Sequence, residues 1–158
     1  MKHKSFEIIE YQKEYEPQLI SFLERCLPES HRCLDINGRH SYYLNIAEYF
    51  VGFWCMFDGS NIIGTVAVSE LENKSCELKS LYLLEQYQGM GYGKEMLIYA
   101  INQAKKFGYK KMFLDSLSTS IKASEHNINL IGKSFHSPTT KSWSTLSNSG
   151  SAFTIFGY

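Results

Sequence analysis

The hexapeptide Gln88-Gly89-Met90-Gly91-Tyr92-Gly93 constrains this chain more than any other stretch. Before it, Cys76 to Leu84 reads as a strand. After it, Lys94 to Phe107 reads as a helix, with Met96, Leu97, Ala100, Ile101 and Ala104 on one apolar stripe. Gly108 stands where such a helix stops in a left-handed residue. A strand, a glycine turn and a helix present bare backbone N–H groups and a positive helix end to an anion, most often a phosphate. Glycine suits the turn because, without a Cβ, it adopts positive φ and lets a ligand come close.

The neighbouring segments fix the fold class. Tyr109 to Leu114 is a short strand ending at Asp115, so strand, helix and strand form a crossover unit with parallel neighbours. Upstream the chain reads as a meander. Ser5 to Tyr11 is a first strand, and Glu14 to Leu27 a helix carrying Leu19, Ile20, Leu23 and Leu27, stopped by Pro28. Arg39 to Phe50 places Tyr42, Tyr43, Ile46, Ala47 and Phe50 on one helical face, its tyrosines in the core or lining a groove. Val51 to Phe57 and Ile62 to Leu71 are strands joined by the turn signal Asp58-Gly59-Ser60-Asn61, and Glu72-Asn73-Lys74 turns into the next strand. Strict alternation there puts Cys76, Leu78, Ser80 and Tyr82 on one face and Glu77, Lys79, Leu81 and Leu83 on the other. Ile121 to Ile131 has a weak helical period, Ser134 to Ser151 is rich in Ser and Thr, and Phe153 to Tyr158 reads as a closing strand. The expectation is an α/β fold in one domain over residues 1–158: a mixed, mostly antiparallel central sheet with helices on both faces.

Composition narrows the partners. A net charge of +0 argues against nucleic acid or an anionic membrane, so any attraction for an anion is local. Cys26, Cys33, Cys55 and Cys76 form no CxxC pair and have no histidine at zinc spacing, so no metal is expected. Cys55 and Cys76 read as small buried hydrophobes. No apolar run reaches about 18 residues and none follows Met1 as a signal peptide would, which makes a cytoplasmic location the default.

Three phosphate-binding patterns compete for the turn. A P-loop needs GxxxxGK and a hydroxyl residue, but Gln88 replaces the first glycine and Glu95 the hydroxyl. A dinucleotide fingerprint needs GxGxxG, and Lys94 replaces the third glycine, although Asp115 lies about 20 residues on, as that pattern requires. The third pattern fits: Gln88-x-x-Gly91-x-Gly93 resembles the Q/R-x-x-G-x-G/A motif of the GNAT superfamily of N-acyltransferases. The likeness extends over Glu77 to Lys94, which is similar to that family's fourth strand, turn and third helix. With the upstream hairpin and Phe113-Leu-Asp-Ser, it covers roughly Ser5 to Ser124.

The resemblance implies a function. In this family the turn wraps the pyrophosphate of acetyl-CoA, here through main-chain groups of Gln88, Gly89, Met90, Gly91, Tyr92, Gly93 and Lys94. The strand before it, at Leu81, Tyr82 and Leu83, would pair its backbone with the pantetheine arm. Glu77 stands where many members keep a general base, with Glu70 and Glu72 as competitors. The expected acid, a tyrosine shortly before Leu-Gly-Phe, has no counterpart: its position holds Ile128, Leu130 or Ile131, with His126, Ser124 or Asn127 as substitutes. The implied activity is acetyl transfer from acetyl-CoA, a cosubstrate, to a small-molecule or peptide amine, and the family's frequent homodimers extend to this chain as an expectation. A non-catalytic acyl-CoA-binding module and a dinucleotide-binding protein are the alternatives.

Overall fold

A computed structural model describes residues 6–115 and 152–157. Six strands form one sheet in the order β1-β2-β3-β4-β5-β6: β1 Phe6–Glu10, β2 Gly52–Asp58, β3 Asn61–Glu70, β4 Ser75–Leu83, β5 Lys111–Asp115 and β6 Ala152–Gly157. Every neighbouring pair is antiparallel except β4 and β5, which are parallel because α3, Tyr92–Lys106, carries the chain across between them. The hairpin falls where Asp58-Gly59-Ser60-Asn61 predicts it, with Asp58 opposite Asn61. Asn73 and Lys74 take φ of 58° and 56° in the second turn.

The sheet is covered on both faces, and β2 shows it. Trp54 packs with Tyr99 of α3 at 5.7 Å and stacks on Phe107 at 6.3 Å between ring centres. Its neighbour Phe53 points the other way, onto Tyr11 at 5.7 Å, Tyr43 at 6.2 Å and Phe50 at 5.3 Å. That second face also meets the entry to α1, Glu16–Glu29, through Tyr15 on Phe57 at 5.3 Å. Leu19, Phe22, Leu23, Cys26 and Leu27 of α1 are buried, as are Met96, Leu97, Ala100, Ile101 and Ala104 of α3. Burying one such aliphatic side chain contributes about 1.5–3 kcal/mol, so the two stripes anchor their helices to the sheet.

Three local expectations change. Pro28 does not lie beyond α1 but inside its last turn, and the helix closes one residue later at Glu29. Having no N–H, Pro28 leaves the Glu24 carbonyl without its usual helical donor, and the chain leaves the helix through Ser30 N–H on the Leu27 carbonyl at 3.0 Å. Arg39 to Phe50 is not one helix: a 3-10 turn, Ser41–Leu44, and the single turn α2, Ile46–Tyr49, meet at Asn45, whose φ of −136° and ψ of 54° break the ladder. The third change is the facing of β4, described with the site. At the end of α3, Gly108 has φ 89°; its N–H donates to the Lys105 carbonyl at 3.0 Å and that of Tyr109 to Ala104 at 3.2 Å, the glycine stop predicted there. The reading of Ile121 to Ile131 and of Ser134 to Ser151 lies outside the described residues. Among the described residues no helix is long and apolar enough to cross a membrane.

Candidate functional site

β4 leads through a 3-10 turn, Glu85–Tyr87, into the glycine run and α3. Gly89 and Gly91 have φ of 79° and 89°, in the left-handed region open to glycine. Gly91 is the N-cap of α3, and the first helical bond runs from the Glu95 N–H to the Gly91 carbonyl at 3.0 Å. Among the described residues no side chain caps this end, and the N–H groups of Tyr92, Gly93 and Lys94 precede the first bond of the ladder. A Cβ placed on Gly89, Gly91 or Gly93 would have no described atom within 4 Å. For Gly93, neither a positive φ nor crowding by a described residue requires glycine. Donors, positive helix end and open space together fit an anion such as a pyrophosphate.

The turn is held in place by its neighbours. The Gln88 side-chain amide donates from Nε2 to the Leu83 carbonyl at 3.0 Å. The Tyr87 hydroxyl donates to Asp58 Oδ2 at 3.0 Å, and the Glu85 N–H donates to Glu29 Oε2 at 2.8 Å. Phe6 of β1 meets the Tyr87 ring at 6.1 Å and the Tyr92 ring at 4.3 Å. Tyr92 therefore spends its ring on the sheet edge, leaving its main chain to the turn. Met90 is exposed and Lys94 half-buried.

Beside the turn, β4 leaves β5. Their ladder ends at Leu78 opposite Leu114, while β4 runs on to Leu83, so Leu81, Tyr82 and Leu83 lie beyond the parallel pairing. The register between β3 and β4 shifts between Thr65 and Ala67, which pair with Tyr82 and Lys79. Three steps on β4 thus oppose two on β3, and the extra residue is a β-bulge at Ser80, whose φ is 52°. A non-glycine residue in that region costs about 1–3 kcal/mol and persists only when its surroundings hold it. Two buried hydroxyls do so. Thr65 Oγ1 donates to the Ser80 carbonyl at 2.7 Å, and the Tyr43 hydroxyl shares a 2.8 Å hydrogen bond with Ser80 Oγ. Thr65 and Tyr43 are both 0% exposed.

The bulge corrects the expected facing of β4. Strict alternation sets Ser80 and Tyr82 with Cys76 and Leu78; the extra residue instead turns both toward the face of Glu77 and Lys79. Tyr82 pairs with Thr65 and Ser80 reaches Tyr43, on the face opposite α3, while Leu81 and Leu83 fall on the α3 side. Tyr42 and Tyr43 are 4.5 Å apart between ring centres, with Tyr49 and His40 next to Tyr42 at 6.2 Å and 6.1 Å. Burial pushes the Tyr43 hydroxyl far above the ordinary tyrosine range, aided by Tyr82 and Tyr42, so it stays a neutral phenol. Glu77 pairs with Ser69 and Phe113 at mid-sheet, and its Oε2 accepts the Lys79 ammonium at 3.3 Å. The Glu77 side chain is 17% exposed and that of Lys79 45%. The competing Glu70 and Glu72 are exposed at the distal end of β3 and in the following turn. His126, Ser124, Asn127, Ile128, Leu130 and Ile131 lie outside the described residues.

A groove of about 550 Å³ opens beside α1, lined by Gln18, Ser21, Arg25, Asn61, Ile63 and Tyr87 among others, and contains none of the predicted site residues. Among the described residues no group of three His, Cys, Asp or Glu could hold a metal ion. Cys26, Cys55 and Cys76 are buried free thiols whose pKa burial pushes up to about 12. Sequence reasoning missed the bulge and its Thr65 and Tyr43 ties. A serine at positive φ leaves no glycine signal, and a hydroxyl on an apolar strand looks like ordinary β-branched filling.

Comparison with known proteins agrees with this geometry. The model of the acetyltransferase (GNAT) family matches residues 11–130. An uncharacterized N-acetyltransferase of Bacillus subtilis, YsnE, is 29% identical over 66 residues, covering 42% of this chain and 44% of the relative. The chain thus matches less than half the length of that curated relative. A GNAT-family acetyltransferase structure from Staphylococcus aureus superposes with TM-score 0.72 at 22% identity, covering 95% of this chain and 97% of the other. The PaiA N-acetyltransferase of Thermoplasma acidophilum, solved in complex with coenzyme A, does so with TM-score 0.67 at 19% identity over 98% and 99%. These structural likenesses establish the fold, and the family model covers most of the sequence: the chain belongs to the GNAT acetyltransferase family.

Proposed function

We propose that this chain transfers an acetyl group from acetyl-CoA to a primary amine. The observation that carries the reading is the start of α3, where no described side chain caps the N–H groups of Tyr92, Gly93 and Lys94 and a Cβ on Gly93 would meet no described atom within 4 Å. Coenzyme A bound to the Thermoplasma relative supports the same ligand class here. The N–H groups of Gly91, Tyr92, Gly93 and Lys94 bind the pyrophosphate, with Gln88, Gly89 and Met90 shaping the approach. Leu81, Tyr82 and Leu83 offer main-chain groups on the part of β4 beyond its pairing with β5. Tyr82 faces β3, paired with Thr65, and Gln88 already occupies the Leu83 carbonyl, so the Leu81 main chain and the Leu83 N–H carry most of that contact.

Glu77 takes the proton that an acceptor ammonium must lose before its nitrogen can attack. The nitrogen–carbon bond forms, the carbon–sulfur bond breaks, and the thiolate leaves and takes a proton from solvent. A thiolate is a good enough leaving group for this without a dedicated acid, consistent with the absence of tyrosine from the expected position. The test is release of free CoA thiol over a panel of amines. Amine-dependent release that falls at least about tenfold in Glu77→Gln, with acetyl-CoA binding retained, supports the reading. Binding of acetyl-CoA without amine-dependent release over the panel would make the chain a binding module instead.

A further inference from the structure

The face that carries Glu77 has a specific charge pattern. Glu77 and Lys79 stand two residues apart on one face of β4, with carboxylate and ammonium 3.3 Å apart. Such a pair at a sheet surface is worth little to stability. To a ligand it offers an acceptor and a donor side by side. Tyr42 and Tyr82 line the same face, half-buried, and Tyr49 stands exposed beside Tyr42. Burial raises the Tyr42 hydroxyl pKa, while its hydrogen bond with Tyr43 and, more weakly, the charges of Lys79 and Arg39 pull it down.

From this arrangement we infer that the acceptor is a free α-amino acid with a large apolar side chain, its ammonium on Glu77 and its carboxylate on Lys79. The inference rests on the acetyl-transfer reading and names its substrate class. An α-amino acid zwitterion carries its ammonium and its carboxylate on one carbon, the complement of a carboxylate and an ammonium in contact. A simple amine fills only the Glu77 half. A peptide N-terminus places a neutral amide where the free amino acid has its carboxylate, and leaves Lys79 without a charged partner in the ligand. The tyrosine rings favour an apolar or aromatic side chain.

The experiment compares phenylalanine, phenylalanine amide and phenethylamine as acceptors, with leucine and its two analogues beside them. Acetyl-CoA binding is followed separately by thermal shift. Phenylalanine is expected to exceed its amide and amine in kcat/KM by about tenfold or more, the size of one well-formed charge contact. Lys79→Met should cut that preference to about threefold or less by raising the KM for the amino acid, with the acetyl-CoA shift unchanged. Lys79→Arg, which keeps the charge, should retain most of the preference. Amide or amine used as well as the amino acid would overturn the inference, as would an unchanged preference in Lys79→Met. So would acetyl-CoA binding with no amino acid acetylated. Absence of an acetyl-CoA shift would overturn the parent reading and this one with it.

Discussion

Gly93→Val separates what the fold needs from what a ligand needs. Gly93 is the second residue of α3, and a Cβ there meets nothing within 4 Å. Valine is better than glycine in a helix by a few tenths of a kcal/mol, so the variant's unliganded stability should match the parent's or rise slightly. The Cβ and its two methyls instead fill the space above the uncapped N–H groups. At a ligand concentration of about 100 Kd, acetyl-CoA should add about 2.7 kcal/mol to stability, and a tenfold weaker complex only about 1.4. In a domain of this size that difference is a few degrees in Tm. The assay is a thermal melt with and without acetyl-CoA for both proteins. Equal ligand shifts in Gly93→Val and the parent would refute a cradle at this turn. A drop of several degrees without ligand would show that the fold itself needs the glycine. Gly93→Ala, which stays within the Gly/Ala choice of the motif, should bind and gain about 0.5–1 kcal/mol.

Other predictions follow from the ties around the site. Thr65→Val keeps the shape of a fully buried side chain but removes the 2.7 Å bond to the Ser80 carbonyl. It should cost about 1–3 kcal/mol in denaturant unfolding and raise the KM for acetyl-CoA, and Ser80→Gly in that background, by easing the 52° φ, should recover part of both. Tyr11→Phe should hold or raise Tm, because the Tyr11 hydroxyl is buried with no hydrogen-bond partner among the described residues. His40 accepts the Asp35 N–H on Nδ1 at 2.9 Å, and burial, then Arg39, hold its pKa below the ordinary 6.5. The folded state therefore resists protonation more than the unfolded chain: its contribution is present above 6.5 and lost as pH falls through the folded value. Stability measured from pH 8 to 5 should decline on the acid side, and His40→Gln should flatten that part of the curve.

Much of the fold was legible because its signals are local. The Asp58-Gly59-Ser60-Asn61 turn, the α3 stripe and Gly108 each state their own geometry within a few residues. The glycine turn was legible for the same reason: the conformations of Gly89 and Gly91 follow from the residue type. The facing of the second half of β4 was not. It depends on a bulge at a serine, and what holds that serine comes from β3 and from a tyrosine far back in the chain. Asn45 likewise broke an apolar pattern that otherwise read as one helix, because period alone does not register a single non-helical residue.

The most direct test of the account is a calorimetric titration of acetyl-CoA and, separately, NAD into the chain. The account predicts saturable binding of acetyl-CoA that is weakened at least about tenfold by Gly93→Val, and no saturable heat with NAD. Saturable binding of NAD with none of acetyl-CoA would contradict it.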